Sequence, residues 1–320
     1  MPTITYLDTL FEGYHLYCLA DGKQPTTIRW YMGKLGVFRD FLATRGYPTD
    51  AAQLTATHVR AFLVYLREDV RADENNPHKP TRDASLSPKT IQGYARTLKA
   101  FFSWATREGL LPSNPAQHIR IPKAPNVLIA TLSDSQVRRI LSEVDQRDPI
   151  GYRDYCILLM LLDTGIRLSE IVNLEVSNVE LERGFFKVLG KGARERLVPF
   201  GAQVQKALWR YLHKFRPEPM HPNVRNLFLR ADGQEITSDQ VYRLIRGYGE
   251  KAGITGVRCS PHTFRHTFAK SFLLNGGDLF SLQKILGHAS LAVVRMYVEL
   301  APEDVQIQHR RYSPMDLLRP

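Results

Sequence analysis

The stretch 260–299, SPHTFRHTFAKSFLLNGGDLFSLQKILGHASLAVVRMYVE, constrains the fold more than any other part of the chain, because its breakers cut it into three short helices. Ser260 suits an N-cap and Pro261 the first helical position, so His262 and Arg265 fall one turn apart on one helical face. Asn275, Gly276 and Gly277 stop that helix, and Gly287 stops the next. His288 is thereby expected at a helix boundary and Tyr297 on the helix that follows.

Such a set suits chemistry on a phosphate. Arginine offers a planar fork to two phosphate oxygens, histidine moves a proton near neutral pH, and a tyrosine oxygen can attack phosphorus. Two cations upstream are candidates for the same site. Arg167 lies in the helical pattern LLDTGIRLSEIVNL with Glu170 one turn later, and Lys191 lies in LGKGARERLVPF, a hairpin tip between the strand-like runs 185–189 and 196–200. Taken alone, Arg167 reads as an exposed arginine paired with Glu170, and Lys191 as a solvated turn lysine with Arg194 and Arg196 as competitors. Spacing by itself does not bring these residues together.

The chain has 320 residues, enough for two domains that each bury a core. Lys and Arg number 43 against 32 Asp and Glu, a formal charge of +11, which points to a polyanionic partner such as nucleic acid. Three scattered cysteines, Cys18, Cys156 and Cys259, form neither a metal pattern nor a disulfide framework. With no signal-like start and no apolar run of membrane-spanning length, an unexported cytoplasmic protein without membrane contact is expected.

Helical periodicity predicts four helices over 6–19, 26–42, 57–66 and 87–104, separated by Gly and Pro breakers. The polar run 69–82 reads as a long surface loop, and 118–130, with two prolines and little periodicity, as a tether. Arg29, Lys34, Lys89, Arg96 and Lys99 on the early helices are candidate DNA contacts, whereas Trp30 and Tyr94 are expected in the core. Later, Arg243 and Arg246 on a helix over 238–252, with Tyr242 and Tyr248, are further candidates. His262 and His266 stand at i, i+4, but no third ligand is placed by pattern, so no metal is expected.

In this order and context, Arg167, Lys191, His262, Arg265, His288 and Tyr297 resemble the tyrosine site-specific recombinases, the family of the phage-type integrases and the Xer-like enzymes. The phrases TGIRLSE, GKGARERLVP, PHTFRHTFA and LGHASLAVVRMY carry the likeness. The resemblance implies a mainly α fold with a small β-hairpin or sheet. It also implies an N-terminal helical core-binding (SAM-like) domain over 1–122, a linker at 123–130, an α-rich catalytic domain over 131–300, and a tail over 301–320 that docks on a neighbouring protomer. The chain is expected to lack the extra N-terminal module of members that bind arm sites.

By the same resemblance Tyr297 is the nucleophile, giving a 3′-phosphotyrosyl link. Arg167 and Arg265 hold the non-bridging oxygens, Lys191 protonates the leaving 5′-oxygen, His262 assists proton transfer at the tyrosine, His288 bonds the phosphate or packs the site, and Glu170 orients Arg167. Tyr312 lacks the preceding GHxS context. No metal or nucleotide cofactor is implied; the implied partners are double-stranded recombination sites and three further copies of the chain, in a tetramer on two duplexes that passes through a Holliday junction. A type IB topoisomerase or telomere-resolvase-like enzyme shares this chemistry, and a non-catalytic integrase-like DNA-binding protein shares the fold; an intact Tyr297 counts against the last.

Overall fold

The structure, a computed structural model, describes residues 5–72, 82–123, 130–190 and 195–287, together with Gln306, His309, Arg310 and Ser313. It falls into two compact units, Met1–Asn126 and Val127–Pro320.

The first unit is built on four helices, α1 (Leu7–Ala20), α2 (Pro25–Thr44), α3 (Ala56–Glu68) and α4 (Pro88–Arg107). Pro25 and Pro88 occupy first-turn positions, where a missing N–H costs nothing, and the Ser87 hydroxyl accepts from the Thr90 N–H at 3.1 Å. Helical spacing then turns Phe38, Phe62, Phe101 and Phe102 inward, where Phe38 meets Phe62 edge to face at 5.0 Å.

Two expectations for this unit need correction. The run expected as a loop over 69–82 carries short antiparallel strands at its ends, β1 (Arg71–Ala72) and β2 (Arg82–Ser85); residues 73–81 lie outside the described part. Trp30, expected in the core, is 46% exposed. Its ring lies against α4 where Gly93 has no side chain, since a Cβ on Gly93 would stand 3.0 Å from it. Lys34 lies over the same ring and over Tyr94, at 4.8 and 3.8 Å from the two centroids.

In the second unit α5 (Asp134–Ser142) starts at a capping box, with Ser133 and Gln136 exchanging side-chain bonds to backbone N–H groups. The apolar helix α6 (Pro149–Thr164) is buried on nearly every side and forms the centre of the core. After it come α7 (Leu168–Val172) and a three-stranded antiparallel sheet in the order β3 (Val179–Glu180), β4 (Phe185–Leu189), β5 (Glu195–Pro199). The helix α8 (Ala202–Arg210) runs into a π turn over Tyr211–Phe215, and α9 (Ser238–Lys251), α10 (Pro261–Leu274) and α11 (Leu279–Leu286) complete the described elements.

The start of this unit is tied to α10, since the Leu132 N–H donates to the Thr267 hydroxyl at 3.0 Å. A buried arginine is also satisfied: Arg153 donates to the Asp154 carboxylate at 2.6 and 2.9 Å and to the Leu229 carbonyl at 3.0 Å. The mainly α architecture with a small sheet agrees with the sequence expectation. Among the described residues no helix is long and apolar enough to cross a membrane.

Candidate active site

Gly165 ends α6 in the left-handed region, at φ 58°, and turns the chain into α7. That turn delivers Arg167 to the N-cap of α7, where its own N–H donates to Glu170 Oε2 at 2.9 Å and its Nη1 donates to Oε1 at 2.8 Å. Arg167 is thus paired with Glu170, yet a third of its side chain stays accessible while the carboxylate is buried.

The second charged partner of Glu170 is Arg196 on β5. Its Nη1 and Nη2 each donate to one carboxylate oxygen at 2.7 Å, a two-pronged contact. Burial pushes the Glu170 carboxyl upward, but the Arg196 fork, the Arg167 N–H and the Arg167 guanidinium outweigh it and hold the group at about 2. Glu170 is therefore a fixed anion between two arginines.

The end of α11 completes the arrangement. A helix leaves its last carbonyls without intrahelical partners and favours cations there. Three successive carbonyls are each met by a different arginine: Ile285 by Arg196 at 2.9 Å, Leu286 by Arg265 at 2.8 Å and Gly287 by Arg167 at 3.1 Å. Arg265 also donates through Nη1 to the Gly165 carbonyl, 100 positions earlier in the chain.

Arg265 reaches this point from α10, whose N-cap is Ser260, with the Ser260 hydroxyl accepting from the Thr263 N–H at 3.2 Å and Pro261 in the first turn. His262 lies one turn before Arg265 and is exposed, whereas Arg265 is only 4% exposed. Gly287 ends α11 in the left-handed region, at φ 63°. Lys191, Arg194, His288, Tyr297 and Tyr312 lie outside the described residues.

Arg196 is the residue that sequence reasoning misassigned, as a competitor of Lys191 at the hairpin tip. Strand alternation contained the signal: Arg196 is two residues from the buried Val198 and so turns to the same, inward side, where a charge requires a carboxylate.

The candidate DNA contacts divide. Arg29, Lys89 and Arg96 are exposed. The Lys99 ammonium donates to the carbonyls of Ala116, Gln117 and Ile119 at 2.9–3.1 Å, which uses its three protons to tie the segment after α4. Lys34 is held between Trp30 and Tyr94, and burial lowers its affinity for a proton. On α9, Arg243 pairs with Asp239 and Arg246 with Glu250 at 2.7 Å, both on the exposed face. Tyr242 contacts Arg258, and the Tyr248 hydroxyl donates to the buried Asp154 at 3.2 Å, a structural bond. Among the described residues no group of three His, Cys, Asp or Glu is placed to hold a metal ion.

Comparison with known proteins identifies the family. Residues 130–304 match the family described as "Phage integrase family", and residues 9–121 match the "Phage integrase SAM-like domain". The chain is 29% identical to the tyrosine recombinase XerD of Listeria innocua, over 96% of this chain and 99% of that one. It is 30% identical to the tyrosine recombinase XerC of Oceanobacillus iheyensis, over 97% of this chain and 96% of that one. Among solved structures it is similar to XerA recombinase, with a TM-score of 0.52 and 25% identity over 97% of this chain and 98% of that one. The fold also matches XerH recombinase bound to a palindromic difH substrate, with a TM-score of 0.70 and 20% identity over 93% of this chain and 82% of that one. The chain belongs to the phage integrase family, the tyrosine site-specific recombinases, and its activity is DNA strand transfer in site-specific recombination.

Proposed function

We propose that Tyr297 attacks the scissile phosphodiester to form a 3′-phosphotyrosyl link and release a 5′-hydroxyl, with Arg167 and Arg265 gripping the non-bridging oxygens. The observation that carries this reading is that two arginines far apart in sequence converge on the adjacent carbonyls of Gly287 and Leu286, next to the segment that holds His288 and Tyr297. The Arg167 guanidinium has five N–H donors and stays a third accessible, so it keeps protons for a phosphate after its contacts to Glu170 and Gly287. In this reading Lys191 protonates the leaving oxygen, His262 assists proton transfer at the tyrosine, His288 bonds the phosphate or packs the site, and Glu170 fixes Arg167.

The proposed division of labour follows the domain expectations: 1–122 grips DNA, 123–130 links, 131–300 carries the chemistry, and 301–320 docks on a neighbouring protomer. Double-stranded recombination sites are the proposed substrate, bound by four copies that exchange strands in sequential pairs through a Holliday junction, in the cytoplasm. The exposed Arg29, Lys89 and Arg96 support phosphate contact by the first unit. Arg243 and Arg246 keep donors for phosphate on the exposed face, but their acidic partners Asp239 and Glu250 oppose that contact.

Covalent trapping on a nicked duplex carrying a site selected from random DNA tests the reading. The wild-type chain and Tyr312→Phe are expected to form the adduct, and Tyr297→Phe is expected to bind the same DNA without forming it. An adduct that survives in Tyr297→Phe would assign the nucleophile elsewhere. Recombination of a plasmid carrying two such sites separates strand exchange from one-strand relaxation.

A further inference from the structure

The proposed chemistry requires Arg167 and the chain after Gly287 to keep one mutual geometry, and Arg196 touches the support of both. Its two terminal nitrogens take the Glu170 carboxylate at 2.7 Å each, and its Nε donates to the Ile285 carbonyl at 2.9 Å. The side chain is 12% exposed. Gly287 makes room for it, since a Cβ there would stand 2.8 Å from both Cδ and Nε of Arg196. The residue comes from β5, the strand that follows Lys191 in the sequence.

We propose that Arg196 is a positioning residue for DNA cleavage: through Glu170 it sets the Arg167 guanidinium, and through the Ile285 carbonyl it sets the end of α11 from which the chain runs on to His288 and Tyr297. The inference rests on the recombinase chemistry proposed above. A planar fork on Glu170 with a third donor, Nε, on the Ile285 carbonyl is something lysine cannot supply, because an ammonium acts as a single point charge.

The charged groups around Glu170 predict how the loss of Arg196 is felt. Arg167 faces the carboxylate from the start of α7 and Arg196 faces it from β5, while α11 contributes only carbonyls. Lys187, Glu195 and Glu175 line the adjoining cleft, and Lys187 lies 3.7 Å from Glu195. Without Arg196, burial is opposed mainly by Arg167, so Glu170 takes up a proton at higher pH and loosens its hold on the Arg167 guanidinium.

The experiment is the single-turnover rate of adduct formation as a function of pH, on a nicked duplex carrying the selected site, for wild type, Arg196→Gln, Arg196→Lys, Glu170→Gln and the double variant Arg196→Gln/Glu170→Gln. Arg196→Gln is expected to slow cleavage on the order of a hundredfold, the cost of a small misplacement of a reacting group, with DNA affinity retained. Its acid limb moves to higher pH, Arg196→Lys does not restore the rate, and the double variant is no slower than the worse single one. An unmoved acid limb, single-variant losses that multiply in the double variant, or a fully active Arg196→Lys would each overturn the proposal. Should Arg196→Gln not fold, Arg196→Lys, which keeps charge and bulk, decides it alone. A wild-type chain that forms no adduct at Tyr297 sinks the underlying chemistry instead, so the two failures are distinct.

Discussion

Phe268 on α10 stands 2.5 Å from where a Cβ on Gly165 would lie, with Leu286 of α11 at 2.9 Å from the same point. The turn from α6 to α7 therefore closes around a hydrogen atom, in a left-handed conformation. Gly165→Ala is expected to cost about 3 kcal/mol from backbone strain and overpacking together, read by urea unfolding. Because the Gly165 carbonyl accepts from Arg265, adduct formation should fall in this variant even at temperatures where it stays folded.

Lys99 and Arg96 lie on the same helix and are expected to answer differently. Lys99→Met removes three contacts to carbonyls and should cost about 1–3 kcal/mol of stability, with little change in DNA affinity. Arg96→Ala, at an exposed position, should leave unfolding unchanged and reduce the slope of log affinity against log salt by about 1. Binding titrations at several salt concentrations, alongside denaturation, separate the two.

Acid titration of stability should report Glu170. Its folded carboxyl is held at about 2, below the ordinary value of 4.5, so its contribution is complete above pH 4.5 and is lost as pH falls through 4.5 towards 2. The contribution is about 3 kcal/mol at most, from the linkage between a depressed carboxyl and folding. Glu170→Gln should be less stable at neutral pH and should flatten the stability profile across that window; a profile as steep as wild type would count against the assignment.

Tyr248→Phe is expected to cost about 1–2 kcal/mol, because it takes a donor from the buried Asp154. Adduct formation and DNA affinity should stay near wild type when measured well below the unfolding temperature. A large loss of affinity with unchanged stability would return Tyr248 to the DNA surface.

Much of this arrangement is legible from local rules. Ser260–Pro261 and Gly287 fix the start of α10 and the end of α11 by capping chemistry alone, and the TGIRLSE phrase brings Arg167 and Glu170 within one turn. The convergence of Arg265 on Gly165 and Leu286 is not local and follows only from the packing of α10 against α6 and α11. Trp30 was misjudged because its environment is decided by a glycine 63 positions away, and a general preference of tryptophan for burial carries no information about that partner. The contacts of Lys99 are illegible for a related reason: nothing in its own helix reveals that the chain after Leu111 returns to present three carbonyls to it.

Among the described residues, the end of α11 gathers three guanidinium groups, two of which, those of Arg167 and Arg196, share one carboxylate. Those two guanidinium groups outweigh the single negative charge between them. A phosphodiester carries one negative charge and a phenolate brings another, so the five-coordinate species formed when they join is a dianion. On the proposed chemistry, a site with such a cationic excess favours that dianion over the singly charged ground state from which it forms.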